Sequence, residues 1–269
     1  MTKRTCLGCG VELTGEVITF EHALPQWLAK EIELGGVSLR HYLHDEGSED
    51  KLLRSHGLNT FGAKSVCGSC NNGWMSRLED AAKPHILGLM HEKTSILTVT
   101  DDARTILSRW AVKTAFIISV VQTLRFELPW EIFQNLRKHE TDGPNGCFVL
   151  ATQQRQLPKG YLYTCPSDEL GGNLVQLRVG FSVNHVHFVV VIPIVQGLRM
   201  VRVAAGIHVP FWPLNMHVLA AYKRAPTDIG TPNKFLDFLT NLIEAGIVTR
   251  KDAVRLEVEG ENTAVAYRA

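Results

Sequence analysis

Cys67-Gly68-Ser69-Cys70-Asn71-Asn72-Gly73-Trp74 is the stretch on which the reading of this chain turns. It repeats the Cys-x-x-Cys spacing of Cys6-Leu7-Gly8-Cys9, so four of the six cysteines fall into two pairs. Two such pairs close a tetrahedral structural zinc site, using all four positions and leaving none for a substrate. The expected task of Zn²⁺ here is to hold an N-terminal knuckle against a helix that begins near Cys70. A disulfide framework belongs to small secreted chains, and the pairing argues for metal instead. Cys147 and Cys165 stand alone and read as small buried residues.

Two further stretches flank these pairs. Between them lies Phe20-Glu21-His22-Ala23-Leu24-Pro25-Gln26-Trp27-Leu28, and directly after the second comes Asn71-Asn72-Gly73-Trp74-Met75-Ser76-Arg77-Leu78-Glu79. The order Cys-x-x-Cys, Glu-His-x-x-Pro, Cys-x-x-Cys-Asn resembles the HNH endonuclease family, whose ββα-metal core is often braced by such a zinc. The longer form, with Pro-x-Trp-Leu and Cys-Asn-x-Gly-Trp, looks like bacterial HNH-type proteins that carry uncharacterised C-terminal regions. The match runs from Cys6 to Glu79, with a weaker similarity around Trp110-Ala111-Val112-Lys113.

The resemblance implies a metal-dependent endonuclease that hydrolyses phosphodiester bonds in DNA. It gives His22 the role of general base. Glu21, in place of the family's more usual aspartate, and Asn71 become ligands of a catalytic Mg²⁺ or Mn²⁺. The middle asparagine of the pattern, which orients the histidine, has Asn59 as its nearest candidate. Such chemistry needs an activated water, a cation facing the charge of the transition state, and a scaffold fixing both. Histidine titrates near neutral pH and can accept the proton of the attacking water, while an amide oxygen is a hard ligand suited to Mg²⁺. Two readings stand beside this one: a non-catalytic zinc module for nucleic-acid or protein interaction, and an RNA-directed nuclease. Roles in mobile elements, restriction or phage defence are common in the family.

Other residues carry a functional and a plain reading together. Arg77 and Lys64 could meet phosphate, but solvated surface charge accounts for them as well. Trp27, Trp74 and Leu78 read as packing around a small zinc core rather than as base-stacking groups. Glu79 lies seven residues after Asn72 on one helix face, where it could be a further metal ligand or part of a salt bridge. His185 and His187 share a strand face and read as strand histidines. His41, His44 and His56 read as polar loop residues.

Charge and hydropathy bound the rest. The chain has 269 residues, 45% of them hydrophobic and 20% charged, enough to bury a sizeable core. Net charge is +1, without the basic bias of many DNA-binding proteins. The start of the chain leads directly into a Cys-x-x-Cys, and no apolar run reaches the roughly 18 residues of a membrane span. A soluble, cytoplasmic protein with no membrane partner is expected.

The pattern along the chain predicts an α+β protein in three segments. Residues 1–80 form the zinc-bound HNH module, with a helix over Pro25–Ile32 and an irregular insertion between Gly35 and Ser65. Residues 81–143 form a helical connection: apolar residues recur at helical spacing from Asp101 to Leu124, and a second helix covers Trp130–His139 before the turn cluster Asp142–Gly146. Residues 144–269 form an α+β domain with an antiparallel sheet, predicted from strands over Cys147–Thr152, Tyr161–Cys165, Asn173–Val183, His185–Val195 and Met200–Ala205. A helix is expected over Pro232–Ala245. This last domain is the candidate for target or partner recognition and for homodimer formation.

Overall fold

The computed structural model describes residues 4–31, 38–43, 51–57, 60–121, 128–153, 162–170, 173–194, 198–204, 209–212, 256–259 and 262–268. It is a mixed α+β protein built mainly on antiparallel sheet, with the four paired cysteines gathered in one cluster.

The N-terminal part is strand, strand, helix. β1 (Ile18–His22) pairs antiparallel with β4 (Gly62–Cys67), with Ile18 opposite Cys67 and His22 opposite Gly62. The register shifts between Thr19 and Glu21, so β4 carries one extra residue at a bulge. Between the two strands the chain makes α1 (Gln26–Glu31), β2 (Ser38–Leu43) and β3 (Lys51–Gly57). From Cys67 it runs without a loop into α2 (Gly68–Cys70), a π-type turn over Asn71–Met75, and α3 (Ser76–Met90). Gly73 breaks the helical geometry inside that turn, with φ −97° and ψ −110°.

α4 (Asp101–Val121) is the central element. Asp101 and Asp102 face the positive end of the helix dipole, and no proline or glycine interrupts the helix. Every residue from Leu107 to Ser119 is buried, the mark of a helix surrounded by protein. It packs against α3, β4, α5 (Trp130–Lys138) and the large sheet. Trp110 meets Phe181 and Phe188 edge-on, while Phe116 packs on Trp130 and Phe133. Arg109, only 3% exposed, donates to the carbonyls of Leu136, His139 and Asp142. Leu136 lies in the last turn of α5, His139 is its C-cap and Asp142 stands in the turn that follows, so the guanidinium ties the helix end to that turn.

The large sheet contains β5 (Phe148–Gln153), β6 (Leu162–Leu170), β7 (Asn173–Val183), β8 (Val186–Pro193) and β10 (Val209–Trp212), in the order β10-β5-β8-β7-β6-β2-β3. All neighbours are antiparallel except β2 and β6, which run parallel. β9 (Leu198–Ala204), β11 (Leu256–Glu259) and β12 (Asn262–Arg268) form a separate three-stranded sheet in the order β11-β12-β9.

The long helix, the second helix and the strands after Cys147 lie close to their expected places. The insertion does not match its expected irregular form: β2 and β3 are strands, and through β2 they extend the edge of the C-terminal sheet. β3 is the edge strand and β2 lies next to it, and strands at a sheet margin tolerate polar and charged residues, which is why Ser38–Leu43 and Lys51–Gly57 carry so little alternating signal. Segment 1–80 thus contributes two strands to the sheet of segment 144–269. The helix expected over Pro232–Ala245, His44 and Asn59 lie outside the described residues. Among the described residues no helix is long and apolar enough to cross a membrane.

Candidate functional site

The cysteine cluster follows from two short backbone devices. In the knuckle, Cys6 N–H donates to Val11 O at 2.7 Å and Gly10 N–H to Cys6 O at 2.8 Å, with Gly10 in the left-handed region at φ +76°. Leu7 N–H donates to Ser65 O at 3.0 Å, tying the knuckle to β4, and Cys67 N–H approaches Cys6 Sγ at 3.3 Å. The four sulfurs of Cys6, Cys9, Cys67 and Cys70 then lie within 4.8 Å of one another, with Cys9 and Cys67 3.6 Å apart. Zinc–sulfur bonds of ~2.3 Å to a tetrahedron require edges of about 3.8 Å, so this donor set can hold a metal ion such as zinc.

Two further observations fit a resident cation. The thiols cannot ionise together unaided: against burial, the Cys70 N–H and neighbouring sulfurs lower Cys67 to about 7, whereas burial and then Cys6 raise Cys70. A divalent ion removes that conflict by making thiolates of all four. The buried Trp74 indole N–H has no acceptor among the described residues, and it borders the same space as Cys70 Sγ beside Gly8. A metal-bound thiolate there gains a donor, and a side chain at position 8 would fill the space.

His22 ends β1 on the side away from the core. It is half-buried, its ring meets Phe20 edge-on at 4.9 Å, and its Nε2 lies 3.3 Å from Gln26 Nε2. Among the described residues it forms no ion pair with a carboxylate, so Gln26 is the polar group positioned to fix its tautomer. Asn71, in the wide turn, donates its amide N–H groups to Thr19 Oγ1 and Phe20 O, both at 3.2 Å. That consumes the two donors of Nδ2 and leaves Oδ1 as the group able to accept or ligate. The helix is thereby fastened to β1 two and three residues before His22.

Glu21 faces the opposite way, as strand alternation requires. It is 5% exposed, and its Oε1 accepts from Lys113 Nζ at 2.9 Å. The same fully buried ammonium donates to Glu79 Oε1 at 2.5 Å. Burial raises Glu21 above the usual carboxylate range despite the opposing pull of Lys113. For Lys113 burial acts downward, but Glu79 and Glu21 outweigh it and hold the ammonium above its usual value. The two carboxylates considered for a divalent cation therefore already hold an internal one. As a preformed cage for Mg²⁺ or Mn²⁺ the residues do not fit: Asn71 offers an amide oxygen, whereas Glu21 and Glu79 are turned to Lys113.

The remaining candidates are dispersed. Asn72 is exposed, and Arg77 is exposed in a two-point salt bridge to Glu140. Lys64 is exposed on β4. Trp74 and Leu78 are core, with Trp74 edge-on to Phe133, and Trp27 lies under the Lys83 ammonium. His187, on β8, bonds Ser182, whereas His185 lies in the turn between β7 and β8 and approaches Gln153, so the two do not share a strand face as expected. Cys147 is buried and donates to Pro144 O. Lys113 and Thr19 are not among the expected site residues; a lysine in the most apolar stretch of α4, within the weaker similarity at Trp110–Lys113, is the signal for the first.

No family model matches this chain, and neither a curated protein nor a solved structure matches it.

Proposed function

We propose that the protein is an HNH-type endonuclease that hydrolyses phosphodiester bonds in DNA, with His22 as general base. One observation carries this reading. β1, β4 and α2–α3 form a strand–strand–helix unit closed by the cysteine cluster, and in it Asn71 on the helix is hydrogen-bonded to the strand that presents His22. A structural zinc knuckle needs neither residue. In the proposed step His22 takes a proton from water as its oxygen attacks phosphorus, and the bond to the leaving oxygen breaks.

A second reading, a non-catalytic zinc module, is favoured by the commitment of Glu21 to Lys113. Plasmid, single-stranded DNA and structured RNA, each incubated with zinc-loaded wild type or His22→Ala in Mg²⁺, Mn²⁺ or EDTA, separate the two. DNA cleavage by wild type alone supports the proposal. Cleavage of RNA alone moves the substrate to RNA. Equal cleavage by both proteins removes His22 from the mechanism, and no cleavage of any substrate favours the binding module.

A further inference from the structure

Lys113 is the most deeply buried charge among the described residues, and the mechanism above makes no use of it. It sits midway along α4, between buried Val112 and Thr114, with no exposed surface. An ammonium in that position requires compensation, because an isolated buried charge is strongly disfavoured. Its partners come from two other elements: Glu21 from β1 and Glu79 from α3. These are the strand that ends in His22 and the helix that continues from Asn71. One buried ammonium thus joins the core helix of the large sheet to both halves of the candidate site.

We infer that Lys113 is the positioning residue of this site, and that Glu21 and Glu79 are its counter-ions rather than ligands of a divalent cation. The part concerning His22 rests on the reading under Proposed function; the assignment of the carboxylates stands on geometry alone. A divalent ion bound to Glu21 Oε1 at about 2.1 Å would lie within about 5 Å of Lys113 Nζ, since Nζ is 2.9 Å from that oxygen. Like charges at that separation, away from water, repel strongly. Mg²⁺ also keeps several of its waters, and the Glu21 side chain, 7% exposed, leaves no space for them. Any divalent cation near His22 is therefore held without Glu21, with Asn71 Oδ1 as the side-chain donor that the hydrogen bonds leave available.

The test uses the zinc-loaded full chain and reads Mn²⁺ binding by the loss of the free-ion resonance signal, together with the His22 ring resonances by NMR. Glu21→Gln is expected to keep Mn²⁺ affinity within about threefold of wild type, and Asn71→Ala to lose at least about tenfold. Lys113→Met is expected to move the His22 resonances in a protein that retains its zinc. A folded Glu21→Gln that loses Mn²⁺ binding by tenfold or more overturns the assignment, as do unmoved His22 resonances in folded Lys113→Met.

Wild type alone supplies a test that needs no variant. Mg²⁺ should leave the Lys113 ammonium nitrogen resonance where EDTA leaves it, and a displaced resonance overturns the proposal. A wild type that binds no Mn²⁺ and cleaves nothing removes the nuclease reading, while an ammonium resonance protected from solvent still supports the counter-ion assignment and an unprotected one overturns it.

Discussion

Lys113 Nζ lies 2.9 Å from Glu21 Oε1, linking the residue before His22 to the middle of a helix that is buried along most of its length. Removing the lysine leaves two carboxylates facing each other, Glu21 buried and Glu79 partly so. Breaking a buried pair by deleting one partner costs about 3–5 kcal/mol. Lys113→Met is therefore expected to lower the unfolding free energy by that amount, read as a fall in the urea midpoint at constant m-value. A shift within the error of wild type would show that the ammonium is not paired in solution.

The triad also gives a signed pH dependence. Glu21 titrates above its ordinary 4.5 in the folded protein, chiefly from burial, so the folded state holds that proton more tightly than the unfolded chain does. The resulting stability is fully present below the unfolded value and is lost as pH rises through the folded one. Lys113 behaves alike: its contribution is complete below 10.5 and disappears as pH rises through its raised folded value. The stability difference between wild type and Glu21→Gln should fall with increasing pH above 4.5. A difference that rises over the same interval would reverse the sign of the Glu21 shift.

Gly62 is required by close approach rather than by an unusual backbone angle. A Cβ there would stand 2.2 Å from Glu21 O and 2.6 Å from the Phe20 ring. The first neighbour is backbone of the paired strand and cannot move without opening β1 from β4 at His22. Gly62→Ala is expected to cost at least the ~1–3 kcal/mol typical of overpacking. Calorimetry measures this, and unchanged stability would mean that the strands sit farther apart than described.

Arg109 lies buried with its guanidinium on three carbonyls at the end of α5. Arg109→Met keeps much of the volume and removes every donor. Of the three, the Leu136 carbonyl belongs to a buried residue, and a buried acceptor left without a partner costs about 1–3 kcal/mol. A destabilisation of at least about 2 kcal/mol is expected, with faster amide exchange across Trp130–Lys138. Wild-type exchange in that helix would show that water replaces the arginine.

How much of this was legible in the sequence depends on which physical signal each part carries. The cysteine cluster was readable because metal ligation fixes both residue type and spacing at Cys6, Cys9, Cys67 and Cys70. α4 was readable because its apolar positions recur at the helical period. The insertion was not: β2 and β3 are held by backbone hydrogen bonds at a sheet edge, where side-chain alternation is weak, and their partner β6 lies far along the chain. The environment of Glu21 was hidden for a related reason. Its partner comes from a helix that composition marks as apolar, and a single lysine in such a helix reads as an interruption until the fold supplies two carboxylates.

Zinc removal tests the cluster and the strand pair together. β4 leads directly from Ser65, which holds the knuckle, to Cys67 and the helix carrying Asn71. Without a cation the four thiols are left with weak S–H contacts, and the knuckle loses its main tie to β4. Metal analysis should find one zinc per chain in wild type and none in Cys67→Ser. The variant should lose amide protection over Ile18–His22 and Gly62–Met75, because a structural zinc contributes its binding free energy directly to folding. The large sheet and α4, which bury their own core, should keep most of theirs. Loss of protection across Phe148–Gln153 as well would show that the two parts fold as one unit, with Lys113 as the side chain best placed to couple them.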